Sequence, residues 1–360
     1  MSGGIVARLT TLGLADWPET VALTTADVAA LLTTAPHEGV VSLLGAAVDL
    51  GRVTIDGPCD EQVAAAWTEA MAGVVQLDGL LVQVVQTLTA AGLECRVLKG
   101  AAIAMLDEVD PAWRSYHDVD VLVPEPSLLA AVDVLGGLGL RPVIAPVSRR
   151  WAARHAKSIT LVHTNGLQVD VHRALTPGVF GDRIRPASLF EEGERFEVGG
   201  VAVQALGAPH RFLHACYHAA LGGARGARHR RDVLLLSRRV RVDATPAQWS
   251  FGWSPTVVAA ALDWAVEDGA PLPADWRQWR ADLVVDPDDT ALLHTYTGQF
   301  REQAIASVRS ADGLLARLRY SWPLLWPSRA HLRDRGTSRV QHLRAALSVR
   351  RRTNGSVSGR

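Results

Sequence analysis

Between Asp118 and Val123 the chain reads Asp-Val-Asp-Val-Leu-Val and is then stopped by Pro124. Alternation with a period of two belongs to a β-strand, whose successive side chains leave on opposite faces. Val119, Val121 and Val123 therefore go to a core, while Asp118 and Asp120 project together from the other face. A helix would scatter the same residues around its circumference. The run thus commits the chain to a sheet with one apolar face and one face carrying paired carboxylates. Like charges that close repel unless a cation lies between them. Two surface acids on a solvated strand are the plain alternative.

The pattern returns downstream in Leu167-Gln-Val-Asp-Val-His172. Val169 and Val171 face inward, and Gln168, Asp170 and His172 share the opposite face. If the two strands are neighbours, three carboxylates converge, a set able to hold two divalent ions. Pairing of Asp170 with an arginine is the alternative. Upstream, Glu94–Leu98 is a short β-type run closed by Lys99-Gly100, which opens a helix over Ala101–Leu106. A glycine at a strand-to-helix turn lets a phosphate approach the backbone, and a helix N-terminus offers free N–H groups to it. Lys99 reaches the same place. Arg114 either binds phosphate or neutralises the acids.

The surroundings follow from the same patterning. Val28–Leu32 and Val40–Leu50 read as short helices, and Thr54–Asp60 as a loop. Glu61–Ala91 has helical spacing, as one helix or two with Gly73 or Gly79 as the weak point, capped by Gly92. Ser127–Leu138 is an amphipathic helix. Asn165-Gly166 joins two alternating runs into a hairpin, and Gly199-Gly200 joins another. After Pro209 the strand signals stop, and Arg211–Leu221, Arg228–Arg239, Thr256–Glu267 and Thr290–Val308 read as helices.

Composition narrows the classes. With 360 residues, 48% hydrophobic and 21% charged, the chain is neither wholly disordered nor collagen-like nor a coiled coil. Thirty-seven basic residues balance thirty-seven acidic ones, so the whole is no polycation. Cys59, Cys95 and Cys216 form no CxxC pattern, which fits a reducing cytoplasm. No signal peptide is read at the N-terminus. Val74–Leu93 is interrupted by Gln76, Asp78, Gln83 and Gln86, so no membrane span is expected. Only two lysines occur, Lys99 and Lys157. From Arg317 to Arg360 eleven arginines meet one acid, Asp334. That stretch is either a helix packed on the helical domain with its arginines in solvent or a surface for nucleic acid or an acidic partner.

Other features have plainer readings. His210, His214 and His218 share a helix face and suit packing or the lining of an acceptor cleft better than zinc, since no HExxH pattern is present. The cluster Arg225–Arg231 is a solvated surface, a cover for a triphosphate or an RNA contact. Trp249, Trp253, Trp264, Trp276 and Trp279 read as core.

Taken together, Val97-Leu98-Lys99-Gly100, Arg114-x-x-x-Asp118-Val-Asp120-Val-Leu-Val123 and Val169-Asp170-Val-His172 resemble the uncharacterised nucleotidyltransferase family of the polymerase-β-like superfamily. The likeness covers roughly residues 80–175. It continues more weakly through Phe212-Leu-His214-x-x-x-His218 and Arg231-Asp232. Lys99-Gly100 takes the place of the Gly-Ser turn of better-known superfamily members. The resemblance implies an α+β protein, a mixed sheet with flanking helices followed by a helical region. It implies two Mg2+ ions with an NTP as co-substrate. Asp118, Asp120 and Asp170 would be the catalytic and metal-binding residues, and Lys99, Gly100, Arg114 and His172 would contact the nucleotide.

The expected organisation is an N-terminal helical segment over residues 1–75, a nucleotidyltransferase core over 76–205, a helical domain over 206–350 and a disordered tail over 351–360. The expected activity is transfer of an NMP from an NTP to an acceptor (a small molecule, a protein or an RNA) with release of pyrophosphate. A non-catalytic regulatory or binding protein on the same fold and a toxin-like tRNA-modifying enzyme are the alternatives.

Overall fold

The computed structural model describes residues 2–17, 19–55, 59–222, 226–296 and 300–348. The expected tail over 351–360 lies outside them, as do residues 56–58 and Arg225.

The strands, in chain order, are β1 (Val21–Leu23), β2 (Val53–Ile55), β3 (Arg96–Val97), β4 (Val119–Leu122), β5 (Arg141–Pro142), β6 (Ser158–Val162), β7 (Gln168–His172), β8 (Gly193–Val198) and β9 (Val201–Leu206). β1 and β2 form a small parallel pair in the N-terminal region. The other seven form one mixed sheet in the order β5-β6-β7-β4-β3-β9-β8. β4 runs parallel to β7 and antiparallel to β3, so the two acid-bearing strands are neighbours. Both expected hairpins are present, β6–β7 across Asn165-Gly166 and β8–β9 across Gly199-Gly200.

One face of the sheet is apolar throughout. Val119, Val121 and Val123 join Val169 and Val171 in a core with Leu77, Leu81, Val84 and Leu88. Those leucines and valines belong to a single helix, Cys59–Ala90, whose continuity through Gly73 and Gly79 settles the choice between one helix and two. By length and composition that helix could cross a membrane, but its apolar stripe lies against the sheet. The N-terminal helices Thr25–Glu38 and Val41–Asp49 gather Leu31, Leu43 and Leu44 into a separate cluster. β2 occupies part of the expected loop over Thr54–Asp60. Three residues are too few to display the alternation by which a strand is recognised.

The opposite face meets the helical half. Leu122 and Leu206 lie in one core with Phe212, Tyr217, Val257 and Trp276, drawn from the helices Ala208–Leu221, Pro255–Ala265 and Ala274–Asp282. Three buried guanidinium–carboxylate pairs fasten the helices Ala208–Leu221 and Ala227–Arg239 to the loop after Leu106. Arg211 grips Asp107 with Nε and Nη2, both at 2.8 Å. Arg231 grips Glu108, and Arg114 grips Asp232. Side chains of all six are under 10% exposed. The forked geometry suits arginine, which presents two parallel donors to one carboxylate.

The basic C-terminal stretch forms the helices Gly313–Leu325, Arg329–Asp334 and Arg339–Ser348. They dock beside β5. The Trp151 indole donates to Tyr320 O at 2.9 Å, Ser328 N donates to Val147 O at 2.8 Å, and Ala145 N donates to the Asp334 carboxylate at 2.8 Å. Leu332 is buried, while Leu318 and Val340, which share its helical spacing in the sequence, are exposed.

Removal of one partner from a buried ion pair leaves a charge that neither water nor protein compensates. Asp232→Ala should cost about 3–5 kcal/mol of stability in urea unfolding. The double change Arg114→Met with Asp232→Leu, which removes both charges, should recover most of that loss. An equal loss in the single and double variants would refute the pairing.

Candidate functional site

β4 and β7 lie in register so that Asp120 stands directly opposite Asp170 and Leu122 opposite His172. Partners in a parallel ladder present their side chains to the same face, which here is the face away from the valine core. Asp120 is 4% exposed and His172 fully buried. His172 Nε2 lies 2.7 Å from Asp120 Oδ1 and 3.8 Å from Asp170 Oδ2. Burial keeps the imidazole below its ordinary pKa against the pull of Asp120, so it is neutral. Its one proton then sits on Nε2 and is donated to Asp120. Thr160 Oγ1 donates to Asp170 from β6, the strand on its far side.

Lys99 completes the arrangement from the adjoining strand end. Leu98 N donates to Asp120 O at 2.9 Å, which ties the turn after β3 to β4. The helix Lys99–Leu106 begins there, and Lys99 Nζ reaches Asp120 Oδ1 at 2.8 Å. Among the described residues Lys99 is the one non-glycine with a left-handed backbone, at φ +40°. Such a conformation costs of order 1–3 kcal/mol and persists only where the surroundings enforce it. Gly100 follows because nothing larger fits. A Cβ at that position would lie 2.9 Å from the Tyr116 ring.

The electrostatics follow from this geometry. Burial by itself would raise Asp120, yet the Lys99 charge and the His172 hydrogen bond hold it well below the usual carboxylate range. Asp118, just before β4, goes the other way. Burial and the neighbouring Asp120 charge push it up to about 6. Oxygen or nitrogen atoms of Asp120, Asp170 and His172 lie within 4.8 Å of one another, close enough to ligate one ion. Asp118 stands outside that trio but within range of its charge. Two carboxylates from adjacent strands suit a hard divalent cation, which prefers oxygen ligands. The Lys99 ammonium lies against one of them and offsets part of its charge.

The sequence-derived set therefore divides. Asp120, Asp170, His172, Lys99 and Gly100 come together, with Asp118 at the edge. Arg114 is buried with its terminal nitrogens forked on Asp232, which places it behind the site. Two cations were not individually assigned. Lys157, at the entry to β6, feels the charges of Lys99, Asp120, Asp170 and Asp118. Arg228, from the helix Ala227–Arg239, feels Asp118 and Asp120. Lysine scarcity was a signal for Lys157, since both lysines of the chain converge on one acid cluster. Arg228 was hidden within a run of arginines.

The histidine stripe lies over the same region. His214 is close enough to feel Lys99 and His172, and the His218 ring lies 4.6 Å from His229. His210 stacks on Trp253 at 6.1 Å, with neither ring nitrogen hydrogen-bonded. The stripe is thus a packed, neutral lining.

A family model described as an uncharacterised nucleotidyltransferase matches residues 24–249. Among solved structures, an antigenic nucleotidyltransferase-like protein from Paracoccidioides brasiliensis aligns at 14% identity and a TM-score of 0.35, covering 61% of this chain and 96% of that one. The antibiotic-resistance factor ANT(2'')-Ia aligns at 16% identity and a TM-score of 0.33, covering 62% and 96%. No curated protein matches the chain.

The buried histidines make stability dependent on pH. Burial lowers His210 to about 4, against 6.5 for the free side chain. Between those values the unfolded chain binds a proton that the folded chain refuses, so stability rises with pH across the window and is lost on acidification. One such histidine contributes up to about 1.4 kcal/mol per pH unit. His229 is lowered to about 4 in the same way, while the raised carboxyl of Asp118 works in the opposite sense. Urea midpoints are expected to fall from pH 7 to pH 5, with a shallower fall in His210→Phe. An identical pH dependence in that variant would remove His210 from the account.

Proposed function

Because the chain belongs to the uncharacterised nucleotidyltransferase family, we propose that it transfers an NMP from an NTP to an acceptor hydroxyl with release of pyrophosphate, using Mg2+ held by Asp120 and Asp170 with Asp118 beside them. The observation that carries this is the register of β4 and β7, which sets Asp120 opposite Asp170 with a lysine on the same carboxylate. When bound, the ions supply charge neutralisation for the triphosphate and lower the pKa of the attacking hydroxyl.

The remaining work falls to the side chains. Asp170 accepts the proton as the acceptor oxygen bonds to the α-phosphorus, and the bond from that phosphorus to the pyrophosphate oxygen breaks. Lys99 stands where negative charge collects on the leaving group, and the Lys99-Gly100 turn brings backbone N–H groups to the phosphates. His172 orients Asp120 through Nε2. Arg114 acts one step back by fixing Asp232 on the helix that carries Arg228, and Arg228 approaches the triphosphate from the far side.

Incubation of the protein with each labelled NTP and cell extract, followed by separation of small molecules, protein and RNA, tests the activity. Label that stays in NTP with the wild type would sink it. Binding should also register in stability, because a ligand that binds only the folded state raises its melting temperature. Mg2+ with the correct NTP is expected to raise the melting temperature by several degrees, and Asp120→Asn should abolish the gain. Equal gains in both proteins would refute the metal assignment. Lys99→Met should weaken NTP binding by about tenfold, in line with loss of one charge-assisted contact. Unchanged affinity with lowered stability would make Lys99 purely structural.

A further inference from the structure

A cavity of about 710 Å3 lies between the helix Arg149–His155, the start of β6 and the C-terminal helices. That volume is in the range of pockets that enclose a small molecule, roughly 300–1,000 Å3. Its wall includes the start of β6, the strand paired with the acid-bearing β7. Lys157 and Ser158 are part of its wall, Ser158 is the register partner of His172, and Lys157 feels the charges of Asp120 and Asp170.

The chemistry of the wall is unusually one-sided. Trp151, His155 and Tyr320 form an aromatic corner with centroids 4.9–5.7 Å apart. Leu324 and Leu325 add aliphatic surface. Among the described residues no aspartate or glutamate lines the cavity, and the cationic side chains there besides the histidines are Lys157 and Arg335. Burial holds His155 below its ordinary pKa, so that ring is neutral. Burial lowers the Lys157 pKa against the pull of Asp120, Asp170 and Asp118, and among the described residues its Nζ makes no ion pair or hydrogen bond, so it can meet an incoming polar group. A polycationic guest would find no counter-charge among the described lining residues. A flat apolar guest with a polar end finds rings to stack on and one ammonium near the acids.

Resting on the nucleotidyl-transfer function above, we propose that this cavity is the acceptor subsite and takes a compact, ring-bearing small molecule, apolar over most of its surface and at most singly anionic, whose hydroxyl is presented to Asp170 past Lys157. The C-terminal helices are then part of the enzyme's substrate site: Arg335 lines the cavity, while Arg317, Arg319, Arg329, Arg333 and Arg344 are exposed.

The probe is 6-hydroxy-2-naphthoate, titrated by fluorescence into the full-length protein, with spermidine as the polycation control. Ala304→Trp fills the cavity from the C-terminal side, and Lys157→Met removes the ammonium. Saturable binding of the probe, weakened at least tenfold by Ala304→Trp and several-fold by Lys157→Met, with no competition by spermidine, is the expected result. The Mg2+·NTP melting gain is expected to persist in Ala304→Trp. If that variant does not fold, Lys157→Met decides alone. Probe binding that is absent, or indifferent to the substitutions, overturns the subsite while the melting gain keeps the nucleotidyltransferase intact. Label from NTP found in RNA or protein likewise overturns it. No melting gain with any NTP overturns nucleotidyl transfer itself, and the acceptor role falls with it.

Discussion

A carboxylate leaves water only if positive charge or hydrogen-bond donors go with it, because an isolated buried ion is prohibitively costly. Asp120 is such a carboxylate, and the centre of the molecule is arranged around the need to compensate it. Lys99 arrives from the β3 end and His172 from β7, both on the same oxygen. The left-handed backbone at Lys99, the glycine after it and the parallel register of β4 with β7 are what bring those groups within reach. An ordinary turn residue or a one-residue slip of register would leave the charge alone inside the protein.

The same rule recurs at the seam between the sheet and the helical half. The loop after Leu106 carries Asp107, Glu108 and Arg114 into the interior, and each meets an opposite charge from a later helix. Pairs of this kind contribute little net stability compared with apolar residues of similar size, but they are intolerant of mismatch. They therefore fix how the helices sit over the sheet more than how tightly. Position matters here, because Arg228 and His214 approach the acids from those helices.

The acid-bearing strands were legible in the sequence because a two-residue period states both the element and the face of each side chain. Asp118-Val-Asp120 and Val169-Asp170-Val-His172 needed only that rule, and the Asn-Gly turn supplied the hairpin. The adjacency of β4 and β7 was legible only through the family likeness, since no local pattern names a strand's neighbour. Arg114 shows the limit plainly. Its charge is evident at position 114, but its partner Asp232 comes from a helix 118 residues later. β1 and β2 were too short to show any period. The C-terminal helices were readable as helices, whereas their docking beside β5 depends on backbone carbonyls at Ala145, Pro146 and Val147 that carry no sequence signature.

The concentration of both lysines at one site has a chemical consequence of its own. Acyl thioesters, acyl phosphates and reducing sugars modify amines and leave guanidinium groups largely untouched. A protein whose surface cations are arginines offers such reagents few side-chain amines on the outside. Its two side-chain amines are sheltered, Lys99 with a side chain only 17% exposed and engaged with Asp120. Slow adventitious acylation, which on a lysine-rich enzyme would spread harmlessly over the exterior, could here reach only the centre of the molecule, where each event would erase a charge that the carboxylates require.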